Sequence, residues 1–297
     1  MVHPSKLLVI VGPTGSGKTA LATALARRFG GELISADSRQ VYRGMDIGTA
    51  KERMEGLKQW GIDLVEPNQT YSAAEFKAYA EEKIEDILSR GKLPILVGGT
   101  GLWIDTVVDN LSLTLVGGDP EVRRVLEELT DEQLIKEIEN TDPVTAAKID
   151  RQNRRRLIRA LEVIRLTGLP FSSLRSRGEP KWDVLKLGPS IERTQLYRRI
   201  DDRIDRMMKQ GLAEETKQLR GRHDATLPSM SGIGYAEIGS FLGGKLSLEE
   251  AVKQIKTRTH AYARRQLTWF RRDKRMVWVK DEEEAEKWVD GWLTGHP

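Results

Sequence analysis

Apolar and polar positions along the 297-residue chain change period several times, and each change predicts an element. Leu7-Leu8-Val9-Ile10-Val11 is a continuous apolar run of buried-strand length, and after Thr19 the spacing turns helical. Glu32-Leu33-Ile34-Ser35-Ala36 reads as a second short buried strand ending at Asp37, and Leu93-Pro94-Ile95-Leu96-Val97 as a third ending at Gly98-Gly99-Thr100. Between them, residues 72–90 predict a helix with Ser72 as N-cap and Glu75 closing a capping box. Strands alternating with helices imply a parallel sheet whose ligands gather at the carboxyl ends of the strands. Asp37 and Thr100 are therefore expected on the same edge as the loop that follows Val11.

From Gly117-Gly118-Asp119-Pro120 the pattern changes. Asp119 is expected to cap and Pro120 to open a helix, and residues 120–167 give several helical patterns with no strand, stopping at Gly168 and Pro170. This predicts an all-helical insertion. After the Gly178-Glu179-Pro180 turn, residues 184–187 read as a strand returning to the sheet. Leu196, Ile200, Ile204, Met207 and Met208 then share one helical face, and a long basic helix is expected over residues 248–271. The chain divides into a core over 1–117, the insertion over 118–182, and a return to the core with basic helices over 183–297. No internal repeat or low-complexity linker interrupts it.

Composition narrows the chemistry. There is no cysteine, which excludes disulfides, thiolate metal sites and thiol nucleophiles. The only apolar run near the start is five residues long, too short for a signal peptide or membrane span, so a soluble cytoplasmic protein is expected. The net charge of +4 conceals two clusters. Residues 253–275 hold nine basic side chains against Asp273 alone, and Arg151, Arg154, Arg155, Arg156 and Arg159 form a second group, offset in the total by acidic residues 281–290. Such surfaces point to a polyanion larger than a metabolite.

Gly12-Pro13-Thr14-Gly15-Ser16-Gly17-Lys18-Thr19 is a complete phosphate-binding loop between its expected strand and helix. The glycines let successive N–H groups face one anion, the following helix adds its positive end, and Lys18 adds a mobile charge. Thr19 is placed to offer its hydroxyl to Mg²⁺. The fold class expected is α/β, a P-loop NTPase-like parallel sheet flanked by helices. Asp37, at a strand end beside this loop, can act as general base, as a water-mediated Mg²⁺ ligand, or as the cap of a following turn. The third strand ends in Gly98-Gly99-Thr100, where many P-loop ATPases place an acidic residue, and this weakens the ATPase and motor readings.

The stretch Asp37-Ser38-Arg39-Gln40-Val41-Tyr42-Arg43-Gly44-Met45-Asp46-Ile47-Gly48-Thr49-Ala50-Lys51 resembles the hallmark of the tRNA dimethylallyltransferase family. The resemblance continues through Tyr71-Ser72-Ala73, Val97-Gly98-Gly99-Thr100-Gly101-Leu102 and Asp119-Pro120-Glu121-Val122-Arg123. It extends to Arg156-Leu157-Ile158-Arg159-Ala160-Leu161-Glu162-Val163, Gly232-Ile233-Gly234-Tyr235 and Arg264-Arg265-Gln266-Leu267-Thr268-Trp269-Phe270-Arg271, in order over almost the whole chain.

The resemblance implies transfer of a dimethylallyl group from dimethylallyl diphosphate to N6 of the adenosine 3′-adjacent to the tRNA anticodon. It implies that residues 12–19 hold the diphosphate with Mg²⁺, that Asp37 is the base, and that Arg203 contacts the diphosphate. Lys18 and Thr100 join the catalytic set, and Thr100 and Arg123 are expected at the flipped nucleotide. Further tRNA contacts are implied for Asp37 itself and for Ser38, Arg39, Gln40, Arg155, Arg156, Leu157, Ile158, Arg159, Arg264, Arg265, Gln266, Trp269 and Arg271. Each has a plainer alternative. Arg203 alternates with Asp201, Asp202 and Asp205 as a salt-bridged helix face would, Thr100 suits a helix N-cap, Arg123 suits pairing with Glu127, and arginine runs suit solvated faces.

Two departures stand out. Trp103 replaces a tyrosine common in the family, and a chain without cysteine has no zinc finger of the kind seen in eukaryotic relatives, so the plain bacterial form is expected, acting as a monomer on the anticodon stem-loop with no membrane. A P-loop metabolite or nucleoside kinase, an adenylate isopentenyltransferase and a nucleotide-gated RNA-binding protein remain as alternatives.

Overall fold

The computed structural model describes residues 5–112, 117–174 and 176–295. Six parallel strands, β1 (Lys6–Val11), β2 (Gly31–Ala36), β3 (Gln59–Trp60), β4 (Leu93–Gly98), β5 (Asp183–Pro189) and β6 (Met276–Val279), form one sheet in the order β3-β2-β4-β1-β5-β6. Central strands of such a sheet are covered on both faces, which is why β1, β2 and β4 are buried at every position. Alternation sorts their side chains, with Leu7, Val9 and Val11 entering one core and Leu8 and Ile10 the other.

The second core is covered by α1 (Lys18–Phe29) through Leu21, Ala22, Leu25 and Ala26. On the first lie α2 (Ala73–Ser89) and α3 (Gly101–Val108). Ser72 and Glu75 form the expected capping box on α2, whose Phe76, Ala80, Ile84 and Ile87 repeat at helical spacing toward the sheet. Trp103 is a core residue, stacked on Phe76 with ring centroids 4.4 Å apart.

After α3 the chain leaves the sheet. Leu111 bridges Arg177 in antiparallel fashion, Ser112 N donates to Ser176 O at 2.9 Å and Gly178 N to Asn110 O at 3.0 Å, so outgoing and returning segments run side by side as a neck. Beyond it are α4 (Pro120–Glu127), capped by Asp119 with Pro120 in its first turn, α5 (Asp131–Thr141), α6 (Pro143–Ala146) and α7 (Arg154–Thr167), ended by Gly168. They share a separate core around Leu126, Leu134, Leu157 and Leu161. Residues 113–116, beside the expected boundary at 117–118, lie outside the described residues.

The return strand β5 runs over 183–189, longer than the 184–187 expected. It leads into α8 (Arg193–Gln210), whose Leu196, Ile200, Ile204 and Met207 are buried while Met208 is only half-buried. Then follow α9 (Leu212–Arg222), α10 (Tyr235–Leu242), the long α11 (Leu248–Phe270) and α12 (Glu282–Thr294). The acidic run 281–290 is the start of α12, where Asp281 caps and Glu282, Glu283 and Glu284 fill the first turn against the positive helix end. Among the described residues no helix is long and apolar enough to cross a membrane.

At the amino end of β2, Glu32 is 1% exposed and accepts from Arg90 through both oxygens, from Lys92 at 2.9 Å and from Trp60 Nε1 at 3.0 Å. The Arg90 hydrogen bonds outweigh burial and hold its carboxyl down to about 2. Its stabilisation is therefore complete above the ordinary carboxylate range and is lost as pH falls through about 2. Glu32→Gln is expected to cost roughly 2–3 kcal/mol at neutral pH and to flatten the acid limb of stability, read by urea unfolding between pH 5 and 2.

Candidate active site

One rung of the sheet sets the level of the site. Gly98 pairs with Val11 on one side and Ala36 on the other, so the phosphate loop, Asp37 and the Gly99-Thr100 turn all begin from the same height. Gly15 and Gly17 take positive φ of 81° and 91°, which allows the loop to curl into α1. Helix α1 has Gly17 at its N-cap with no side-chain cap and no acidic residue in its first turn, so its leading N–H groups remain available to an anion. Helix α8 packs onto this loop. A Cβ added at Gly15 would lie 2.9 Å from Ile200 Cγ1, and Arg203 follows less than one turn along.

A cavity of about 580 Å³ opens here, lined by Thr14, Lys18, Thr19, Asp37 and Arg203, with Arg155 from α7 and Arg265 from α11 also on its wall. Burial, aided by Arg203, lowers Lys18 to about 8, against the opposing pull of Asp37 and Glu52. Burial likewise lowers Arg203, again opposed by Asp37 and Glu52. Of the neighbouring acids of α8, Asp201 faces His260 at 2.9 Å and Asp205 pairs with Lys256 at 2.8 Å, while Arg203 itself lines the cavity. Asp37 caps its own turn, accepting from Arg39 N at 2.9 Å through Oδ1, and also lines the cavity.

Oxygen donors of a kind suited to Mg²⁺ are present, namely the Thr19 hydroxyl and the Asp37 and Glu52 carboxylates on one cavity wall. Among the described residues no group of three His, Cys, Asp or Glu side chains forms a metal site by itself.

Several residues that the resemblance assigns to tRNA have other duties. Gln40 accepts from Ser35 Oγ at 2.8 Å and donates to Thr49 O at 3.2 Å, holding its own loop closed. Arg39 donates to Pro228 O at 2.9 Å. Thr100 is at the N-cap of α3 but makes no capping bond; its hydroxyl accepts from Ser38 N at 3.0 Å, tying the turn after β4 to the Asp37 loop. Leu157 and Ile158 point into the core of the insertion. Arg123 pairs not with Glu127 but with fully buried Glu162 at 3.0 Å, and Arg159 pairs with the same carboxylate at 2.7 Å. Trp269 donates to Asp105 Oδ2 at 2.9 Å, and Gln266 is buried. Arg155, Arg156, Arg264, Arg265 and Arg271 are exposed.

Three contributors escaped the sequence. Tyr262 lines the cavity, and burial together with the Asp37 charge pushes its hydroxyl up to about 12. Its spacing four residues before Gln266 on a helix was the available signal. Glu52 lies on the wall within an irregular segment that carried no signal. Glu215, on α9, accepts from Asp46 N, Ile47 N and Gly48 N at 3.0, 2.8 and 3.1 Å and from Tyr235 OH at 2.7 Å, so one carboxylate from a distant helix orders the middle of the hallmark stretch.

Fold and site together define an α/β protein of P-loop-like architecture with a glycine-rich loop, the cations Lys18 and Arg203 and the Asp37 carboxylate on one cavity. Residues 40–273 match the model of the IPP transferase family, and residues 5–61 match that of isopentenyl transferase. The tRNA dimethylallyltransferase of Geobacter metallireducens is 46% identical over 288 residues, 93% of each chain. That of Moorella thermoacetica is 45% identical over 287 residues, 92% of this chain and 89% of its own. The solved full-length tRNA isopentenylpyrophosphate transferase of Bacillus halodurans aligns with a TM-score of 0.74 at 39% identity, covering 98% of this chain and 97% of that one. A eukaryotic dimethylallyltransferase acting on tRNA aligns with a TM-score of 0.82 at 28% identity, over 99% of this chain and 80% of that one. The chain belongs to the IPP transferase family.

Because Lys18 loses its charge near pH 8, its contribution to affinity for inorganic diphosphate is expected to decline above that point, by at most about tenfold per pH unit. Calorimetric titrations of the wild type and Lys18→Met across pH 7–10 isolate that contribution as their difference. Glu215→Gln is expected to weaken the hold on residues 46–48 by about 1–3 kcal/mol, read as faster amide exchange of Ile47 and Gly48.

Proposed function

We propose that this protein is a prenyltransferase that moves the dimethylallyl group of dimethylallyl diphosphate to N6 of the adenosine 3′-adjacent to the anticodon of tRNA, acting as a monomer in the cytoplasm. The observation that carries this is the single cavity on which Lys18, Arg203 and Asp37 meet, with Arg155 and Arg265 on its wall. An anion grip beside a carboxylate suits displacement of diphosphate by a weakly basic nitrogen.

The adenine leaves its stack to enter the cavity, where its N6 faces the allylic carbon. The N6 lone pair forms the new bond as the bond between that carbon and the diphosphate oxygen breaks. Asp37 receives the N6 proton, which matters because the lone pair of an aromatic amine is delocalised and poorly nucleophilic. The departing electron pair stays on the diphosphate oxygen, where Lys18, Arg203 and the N–H groups at the start of α1 stabilise it. The Thr19 hydroxyl, with the Asp37 and Glu52 carboxylates on the same cavity, would hold Mg²⁺, which would supply further positive charge to the diphosphate. Exposed Arg155, Arg156, Arg264, Arg265 and Arg271 suit the phosphates and unpaired bases of an anticodon loop. Arg156, Arg264 and Arg271 lie outside the cavity lining, so a mononucleotide seated in the cavity would leave them unused, which favours tRNA over a free adenine nucleotide as acceptor.

The direct test is incubation with Mg²⁺, dimethylallyl diphosphate and unmodified tRNA bearing adenine 3′ to the anticodon, followed by digestion. Isopentenyladenosine is the expected product; ATP turnover with no prenylated nucleoside would overturn the reading. Asp37→Ala is expected to bind tRNA normally and to turn over about 10²–10⁴-fold more slowly. An unchanged rate would remove Asp37 as the base.

A further inference from the structure

Gln266 belongs to the Arg264–Arg271 run that the resemblance assigns to tRNA, yet its side chain has a protein partner at each end. Its Oε1 accepts from the backbone N–H of Thr14 at 2.9 Å, and its Nε2 donates to the carbonyl of Gly99 at 2.9 Å. The first bond joins α11 to the phosphate loop and the second joins α11 to the turn after β4. The residue is 6% exposed, so its amide has given up water for these two partners. Gly99 is what leaves space for it, since a Cβ added there would run into Gln266 Nε2. Trp269, nearly one turn further along, closes the same seam: its Nε1 bonds Asp105 Oδ2 at 2.9 Å and its ring covers Gly101. The two residues immediately before Gln266, Arg264 and Arg265, are exposed. Neighbouring positions on α11 thus divide between a surface suited to RNA and a brace on the loop.

We propose that Gln266 is a positioning residue, which holds the phosphate loop in its anion-gripping shape from the helix that carries Arg264 and Arg265 and does not itself contact RNA. The curl of the loop needs two residues at positive φ, Gly15 and Gly17, and such glycine-rich chain has many competing conformations. The bond to Thr14 selects one of them. Without it a loop N–H loses its partner, the competent loop is populated less, and apparent anion affinity falls in proportion to that population. The inference deepens the proposed function and rests on it for the identity of the anion, diphosphate.

Gln266→Met keeps the length and bulk of the side chain and removes both hydrogen bonds. With inorganic diphosphate and Mg²⁺ as the probe, calorimetry is expected to show about tenfold weaker binding, while the Kd for tRNA stays within about twofold. The KM for dimethylallyl diphosphate should rise alone, with the KM for tRNA unmoved. Unchanged diphosphate affinity overturns the proposal, and so does a weakening confined to tRNA. A second route avoids reliance on one variant. Gly99→Ala displaces Nε2 and is expected to weaken diphosphate binding in the wild-type background yet add little to Gln266→Ala, where nothing is left to displace. Additive losses in that cycle count against the brace. Because diphosphate binding is read directly, a protein that binds it in this pattern but transfers no prenyl group contradicts the proposed function and leaves the brace standing, whereas a wild type that binds no diphosphate overturns both.

Discussion

The rung Ala36–Gly98–Val11 is the constraint from which the site follows. Three parallel strands hydrogen-bonded in this register release their chains at one height, and the three loops that leave there bring the glycine-rich loop over residues 12–19, the Asp37 carboxylate and the Thr100 hydroxyl together. Gly98 makes the rung possible, because a Cβ on it would overlap the Ala36 backbone. Hydrophobic burial on both faces then holds the strands in place, since Leu7, Val9 and Val11 and the opposing Leu8 and Ile10 have no exposed surface. Helix α8, which brings Arg203, packs against Gly15 through Ile200 and Leu196.

The hallmark stretch over 37–51 is more scaffold than surface. Asp37 lines the cavity, but Gln40 spends its amide on Ser35 and Thr49, and Lys51, 4% exposed in its side chain, is held by Asp46 and Asp63. Glu215 supplies the remaining order from α9. A loop of this length without secondary structure has many N–H and C=O groups to satisfy, and specific polar side chains do so where a helix or strand would have used the backbone. Leaving those groups unpaired would carry a cost of its own, apart from any contact with a substrate.

Charge follows a similar division. Of the basic residues in 253–275, Lys256, Arg258 and Arg275 pair with acids, while Arg264, Arg265 and Arg271 remain exposed without an ion pair among the described residues. In the insertion, Glu162 draws both Arg123 and Arg159 to a buried carboxylate, leaving Arg155 and Arg156 outward. A count of positive residues cannot separate these groups, because partners such as Glu162 and Glu237 are polar residues whose burial is decided by packing.

Period and caps in the sequence were enough to determine the strands β1, β2, β4 and β5, the capping box that starts α2, the aspartate cap and proline that start α4, the glycine that ends α7, and the glycine-rich loop itself. Each depends on residues within a few positions of one another, where local sterics and hydrogen bonding act. The two-residue β3 and the edge strand β6 had too little pattern of their own and exist by pairing with a neighbour. Only the tertiary structure decided that Gln266 turns inward to Thr14 across 252 residues of sequence, that Leu157 and Ile158 are core, and that Glu215 orders a loop far from it. Side chains such as glutamine and glutamate serve equally in solvent or as buried partners, and which of these they do is fixed by the groups that packing brings beside them.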